Sequence, residues 1–134
     1  MLEAVTALGS VFFDPYLLFL IFATTIIGIV IGVLPGLGAT TGAALLLPFT
    51  LTMEPVHAIA VLATIYVAAT FAGSITAILI NTPGTSAAAA TTFDGFPLAQ
   101  RGEAGRALGV AVVSSTFGGV VSVIVLCFAA PLLA

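Results

Sequence analysis

Asn81, Thr82, Thr85 and Ser86 put one side-chain carbonyl and three hydroxyls on either side of a Pro83-Gly84 pair. Proline removes a backbone N–H and glycine frees the chain to turn, so a helix is not expected to continue through the pair. A helix that stops there leaves carbonyls free at its end, and these suit a hard cation such as Na+. A helix that restarts near Thr85 and Ser86 leaves N–H groups free, and these suit an anion such as a carboxylate. Discontinuous membrane helices hold a solute and a coupling ion together in this way. A second break, Leu34-Pro35-Gly36-Leu37-Gly38, has the same layout, with Thr40 and Thr41 as hydroxyls at the new helix start. The expected substrate and ion site is therefore Asn81, Thr82, Pro83, Gly84, Thr85 and Ser86, with Na+ expected near Asn81 and Thr82. Pro35, Gly36, Gly38, Thr40 and Thr41 are expected to line or buttress the same cavity. The plain alternative is a pair of tight turns at a membrane surface.

These breaks matter because of what surrounds them. The chain is 61% hydrophobic and 5% charged, with 134 residues and a formal net charge of −3. Its mean hydropathy is +1.36. A soluble domain carries about 25% charged residues. This composition implies an all-α polytopic membrane protein with the lipid bilayer as its solvent. In lipid an unpaired backbone group costs several kcal/mol, so a break survives only where protein or a watery cavity satisfies it. Two basic residues in all exclude nucleic-acid binding by phosphate neutralisation.

The elements that position the breaks follow from length. Residues 1–13 read as a mildly amphipathic lead-in, lying at the interface or continuing the first helix. It does not resemble a signal peptide, since Glu3 and Asp14 precede the first apolar run without any Lys or Arg. Asp14-Pro15 is a helix-start signal and Tyr16 an interfacial anchor. Residues 17–33 predict a first span. Residues 39–51 predict a short helix of about 20 Å, against a hydrocarbon core near 30 Å. If that helix reaches the far side, the first break lies inside the membrane. A polar connection at residues 52–57, with Glu54 and His57, reads as interfacial.

Residues 55–71 predict a further span, interrupted at Gly73. Residues 74–80 and 87–93 then read as two apolar arms of a re-entrant hairpin whose tip is the second break. The alternative is one long discontinuous pass from Pro55 to Phe93. Residues 94–106 form the most polar stretch, and residues 107–126 predict a last span, about four spans in all. Arg101 and Arg106 share one loop, so the positive-inside rule places that loop in the cytoplasm, the N-terminus outside, and both breaks in the cytoplasmic half. Their expected role is topology or partner contact. Cys127 has no internal partner and reads as a small apolar-facing side chain.

No Ser-His-Asp set, HExxH, paired catalytic carboxylates or nucleotide loop is legible, so the chain reads as no enzyme, with no cofactor. No buried ionisable side chain is expected within a predicted span, His57 reading as interfacial, so no proton wire is legible either.

Three ordered motifs carry a family resemblance. They are Gly32-Val33-Leu34-Pro35-Gly36-Leu37-Gly38 with Ala44-Leu45-Leu46-Leu47-Pro48-Phe49-Thr50, then Gly73-Ser74-Ile75-Thr76-Ala77-Ile78-Leu79-Ile80-Asn81-Thr82-Pro83-Gly84, then Thr92-Phe93-Asp94-Gly95-Phe96-Pro97-Leu98-Ala99-Gln100-Arg101-Gly102 followed by Gly105-Arg106-Ala107-Leu108-Gly109. Together they resemble the amino-terminal part of the large membrane subunit of tripartite tricarboxylate transporters, the TctA family. The resemblance implies a multi-pass permease of the bacterial inner membrane. It implies a small membrane subunit and a periplasmic solute-binding protein as partners. It implies a carboxylate substrate such as citrate and a coupling ion, Na+ or H+, rather than ATP. Asn81-Thr82-Pro83 is also similar to the Ser-Asn-Thr hairpin tips of ion-coupled dicarboxylate transporters, a fold-level analogy. The family's large subunit is several times longer, so the chain is expected to be one portion of a larger carrier and to need the remaining part of the carrier as a partner. The alternative is a truncated or structural membrane protein with no transport of its own.

Overall fold

Asp14 and Pro15 start the first helix. In the computed structural model, which describes residues 13–133, the Asp14 carboxylate accepts a hydrogen bond from the Tyr16 N–H at 2.9 Å, and Pro15 opens the first turn of α1 (Pro15–Val33). The lead-in at residues 1–13 lies, but for Phe13, outside the described residues. The helix ends because Leu34 precedes Pro35. A residue before proline is pushed out of the helical region, and Leu34 is extended at φ −81°, ψ 112°. Gly36 and Gly38 then take φ of +91° and +62°, a turn open to glycine and closed to most other residues. α2 (Gly38–Thr50) follows, within one residue of the expected bounds at each end.

α3 (Pro55–Ile80) corrects the first expectation. Gly73 does not interrupt it, and residues 74–80 are its last two turns rather than a hairpin arm. A glycine inside a helix costs only about 1 kcal/mol, and here its bare Cα admits another backbone. The helix stops at Asn81, a left-handed cap at φ 56° whose N–H returns to the Thr76 carbonyl. Asparagine tolerates that region better than most side chains.

A 3-10 turn (Ser86–Ala88) leads into α4 (Ala89–Gln100), so the polar stretch beginning at Asp94 is largely helical. The true connection is residues 101–103, with Gly102 at φ +83°. α5 (Ala104–Leu133) is longer at both ends than expected.

Contacts give the directions. The Asp14 carboxylate meets His57, Gly28 meets Ile65 and Ala68, and Gly32 meets Ala69, so α1 and α3 run parallel. α2 returns between their starts, with Gly42 against Ile31 and Ile65. Residues 81–85 then climb back along α3, since Gly84 and Thr85 lie on Gly73. α4 descends again, with Ala87 and Ala88 beside Tyr66 and Thr70 and Gly95 against Ile78. Residues 81–85 and α4 therefore form a hairpin against the second half of α3, with a non-helical rising limb and α4 as its falling limb.

Three helices are long and apolar enough to cross a membrane: α1, α3 and residues Ala104–Ala130 of α5. Four spans were expected; α2, at 13 residues, is too short to count among them. The packed centre is α3, where Ile65, Ala69, Ala72, Ala77 and Ile78 are fully buried. Small residues dominate because lipid supplies no hydrophobic drive between helices, and close backbone packing must replace it. α5, by contrast, is exposed along almost its whole apolar length.

Candidate functional site

The second break packs through glycines onto α3 and onto the last turn of α1, just before the first break. Gly84 donates its N–H to the Gly73 carbonyl at 3.3 Å. A methyl group placed on Gly84 would overlap the Gly32 carbonyl oxygen and stand 2.9 Å from the Gly73 Cα. A methyl on Gly73 would stand 2.8 Å from Thr85 Oγ1. Three backbones from α1, α3 and the second break are thus in direct contact. Gly32 lies in the last turn of α1, where carbonyls lack intrahelical partners.

The expected site residues separate into two groups. Gly84 is buried and Thr85 half-buried, with its Oγ1 wholly buried and without a hydrogen-bond partner among the described residues. Ser86 opens the 3-10 turn and is exposed. Asn81 and Thr82 are exposed and act locally. Asn81 caps α3, and Thr82 donates its N–H to the Thr76 carbonyl at 3.4 Å and its hydroxyl to the Ile80 carbonyl at 3.2 Å. Pro83 is half-buried between them. At the first break Pro35, Gly36 and Thr40 are exposed and Gly38 and Thr41 half-buried. No atom lies within 4 Å of a methyl group placed on Gly36 or Gly38. The contact with the second break is made by Gly32, in α1 ahead of the first break.

The sequence reading missed Gly32, Gly73 and Thr76 as site residues. Thr76 is buried and donates its hydroxyl to the Gly73 carbonyl at 3.1 Å. Their signal was present: Gly28 and Gly32, and Ala69 and Gly73, are small residues four apart, the spacing at which helix backbones approach.

Beside the hairpin tip lies a cavity of about 290 Å³ lined by Tyr66, Val67, Thr70, Phe71, Ser74, Ala87, Ala88 and Ser115. It brings hydroxyls from α3 and α5 to the N-terminal end of the 3-10 turn and α4. The Ala88 N–H is taken by the Thr85 carbonyl at 3.1 Å. A larger cleft of about 780 Å³ separates α5 from α1 and α3. Its walls are mostly Ile, Val, Ala and Phe, and it is open-sided, so it suits packing in the membrane rather than a polar solute.

The charged side chains lie away from the tip. Arg101 caps α4, and Arg106 pairs with Glu103 at 2.9 Å; both arginines are exposed, at the turn between α4 and α5. At the opposite end of α3, His57 Nε2 lies 3.2 Å from Asp14 and its Nδ1 3.7 Å from Glu54, with Tyr16 packed edge-on. The His57 hydrogen bond, and then the Tyr16 N–H, hold the Asp14 carboxyl below its usual range. Among the described residues no cluster of three or more metal-ligating side chains forms.

Residues 18–134 match the family model described as Tripartite tricarboxylate transporter TctA family. The chain is also 47% identical, over 113 residues, to an uncharacterized 52.8 kDa protein of the TAR-I ttuC' 3' region in Agrobacterium vitis. The alignment covers 84% of this chain and 22% of that relative, so the chain spans about a fifth of the relative's length. No solved structure matches.

Proposed function

Because the chain belongs to the tripartite tricarboxylate transporter TctA family and is a multi-pass membrane protein, we propose that it forms part of the permease of an ion-gradient-driven, binding-protein-dependent uptake system for citrate-like carboxylates. In this reading it works in the bacterial inner membrane with the remainder of its carrier, a small membrane subunit and a periplasmic solute-binding protein.

The single observation that supports it most is the packing of Gly84 in the second break onto Gly73 and onto Gly32 in the last turn of α1, beside a mostly apolar cavity whose lining includes Tyr66, Thr70, Ser74 and Ser115. Irregular backbone at membrane depth is tolerated where it is packed in protein or lines a cavity. The carboxylate would sit at the Ser86–Ala88 turn. There the free N–H groups of residues 86 and 87, the positive end of α4 and the hydroxyls of Ser74 and Ser115 face one negative group. A cavity of about 290 Å³ is near the lower end of ligand pockets, which run from about 300 Å³ upward. It suits one carboxylate arm, with the rest of a tricarboxylate held by the remainder of the carrier.

The roles of Asn81 and Thr82 shift accordingly. Both shape the rising limb, and through it the position of Thr85 and Ser86. Replacing both by alanine in the complete carrier should abolish citrate uptake into proteoliposomes while membrane insertion stays intact. Uptake at the unsubstituted rate would remove the transport site from this hairpin.

A further inference from the structure

We infer that the cleft between α5 and the α1–α3 pair is the seat of a membrane-spanning helix from the remainder of the carrier. The identity of that occupant rests on the carrier reading. α5 leans on α4 and meets α3 only sparsely, and α1 and α5 do not touch. The gap of about 780 Å³ left between them has three helical walls. Ile29 stands on α1, Thr64 and Val67 on α3, and Ser115, Gly119 and Val123 on α5. The α5 residues recur every four positions, so one face of that helix lines the groove.

None of the apolar window of α5 is buried, against 22% for α1 and 33% for α3. Lipid tails could cover such a surface, but Gly119 argues for a helix. Gly28, Gly32 and Gly73 each have another backbone where a side chain would stand. Nothing lies within 4 Å of a methyl group placed on Gly119. A glycine inside a helix is costly relative to alanine, and membrane helices recover that cost by letting a neighbouring backbone approach. Ser115, one turn earlier on the same face, completes a pair of small residues four apart. A lipid tail is fluid and fits around larger side chains, so it needs no such gap. Nor do these groove hydroxyls call for water. Thr25 donates to the Ile21 carbonyl at 2.7 Å and Thr116 to the Val112 carbonyl at 2.8 Å.

Chain to supply the helix is present in the Agrobacterium vitis relative. The alignment covers 22% of that protein, which leaves more than three quarters of its length unmatched. One turn of helix, about 10–12 Å across and about 5.4 Å long, occupies about 500 Å³. The cleft therefore takes one face of a helix over several turns rather than a whole helix. The incoming helix would fill the space between α1 and α5 and close the bundle around itself.

The test uses the complete carrier in its native membrane. Val67 on α3 and Val123 on α5, one on each wall, are replaced in turn by a photo-reactive phenylalanine. After illumination and digestion, mass spectrometry should find the same apolar segment from the remainder of the carrier attached at both positions. Capture of lipid alone or of nothing, of a second copy of this chain, of the small membrane subunit, or of two unrelated segments overturns the seat. Nothing in this chain stands at the Cβ position of Gly119, so Gly119→Leu obstructs only an incoming backbone. It should lower the unfolding midpoint of the complete carrier by several degrees. An unchanged midpoint overturns the close approach. Citrate uptake by the unsubstituted carrier is measured alongside. Lipid-only capture with uptake intact rejects the seat and leaves the transport reading standing. A captured helix in a carrier without citrate uptake does the reverse.

Discussion

Gly84 and Gly73 share a backbone hydrogen bond of 3.3 Å with no side chain between them, and the Gly32 carbonyl closes on the same point. The second break is joined there to α3 and to the last turn of α1. The contact explains why α3 carries a glycine mid-course and yet remains a helix. It also makes the junction sensitive to a single methyl group.

Gly84→Ala should therefore be among the most damaging small substitutions in the chain. The new methyl meets backbone on two sides, which costs about 1–3 kcal/mol by overpacking. Gly73→Ala presses on the Thr85 hydroxyl and N–H and should behave similarly. Gly105→Ala and Gly109→Ala in α5, where nothing lies within 4 Å, should leave stability unchanged or raise it by up to about 1 kcal/mol. Thermal unfolding in detergent compares the four. Equal effects at all positions would dismiss the junction.

Ser86→Pro separates backbone chemistry from fold. Thr85 is extended at φ −132°, ψ 156°, which suits a residue before proline, and Ser86 stands at the first position of its turn. The substitution should fold normally while removing one N–H from the carboxylate position. Citrate uptake by the complete carrier should fall about tenfold or more, the scale of one lost charge-assisted hydrogen bond of about 1.5–3 kcal/mol. Ser86→Ala, which keeps the N–H, should fall less. A folded Ser86→Pro protein with full uptake would place the anion elsewhere.

Asn81 is the described non-glycine residue with positive φ, at 56°. Asn81→Gly should be tolerated in stability, and Asn81→Ala should cost about 1 kcal/mol because alanine resists the left-handed region. Unfolding midpoints that rank alanine at or above glycine would show that the cap does not limit stability.

Asp14 links α1 to α3 through His57 at 3.2 Å, and its carboxyl is held below the usual range chiefly by that bond. A carboxyl with a lowered folded-state pKa stabilises the fold above the unfolded value. That stability is lost as pH falls through the folded value. The unfolding midpoint should therefore be steady near neutrality and decline below about pH 4, where free aspartate titrates. Asp14→Asn should start lower at pH 7 and show a shallower acid decline. Parallel profiles for the two proteins would show that the pair contributes nothing.

Much of the helix inventory was legible because it follows from local rules. Asp14-Pro15 marks a start, Leu34 before Pro35 marks a stop, and residues 39–51 were too short to be an ordinary span. Gly73 shows where local rules fail. In sequence it reads as a breaker, and its small cost in a helix is outweighed by what packs against it. The same mistake shifted the hairpin, since residues 74–80 look like an arm only if α3 has already ended.

The sequence by itself determined the solvent, the helical class, the family resemblance and the location of both breaks. Composition, proline sterics and small-residue spacing are properties of neighbouring residues. Only the tertiary structure decided that the second break packs onto α1 and α3, that the rising limb is non-helical, and that Thr85 rather than Asn81 turns its oxygen inward. Gly32, Gly73 and Gly84 are far apart along the chain. Their meeting depends on the parallel course of α1 and α3 and on residues 81–85 folding back, and no single stretch of sequence encodes that register.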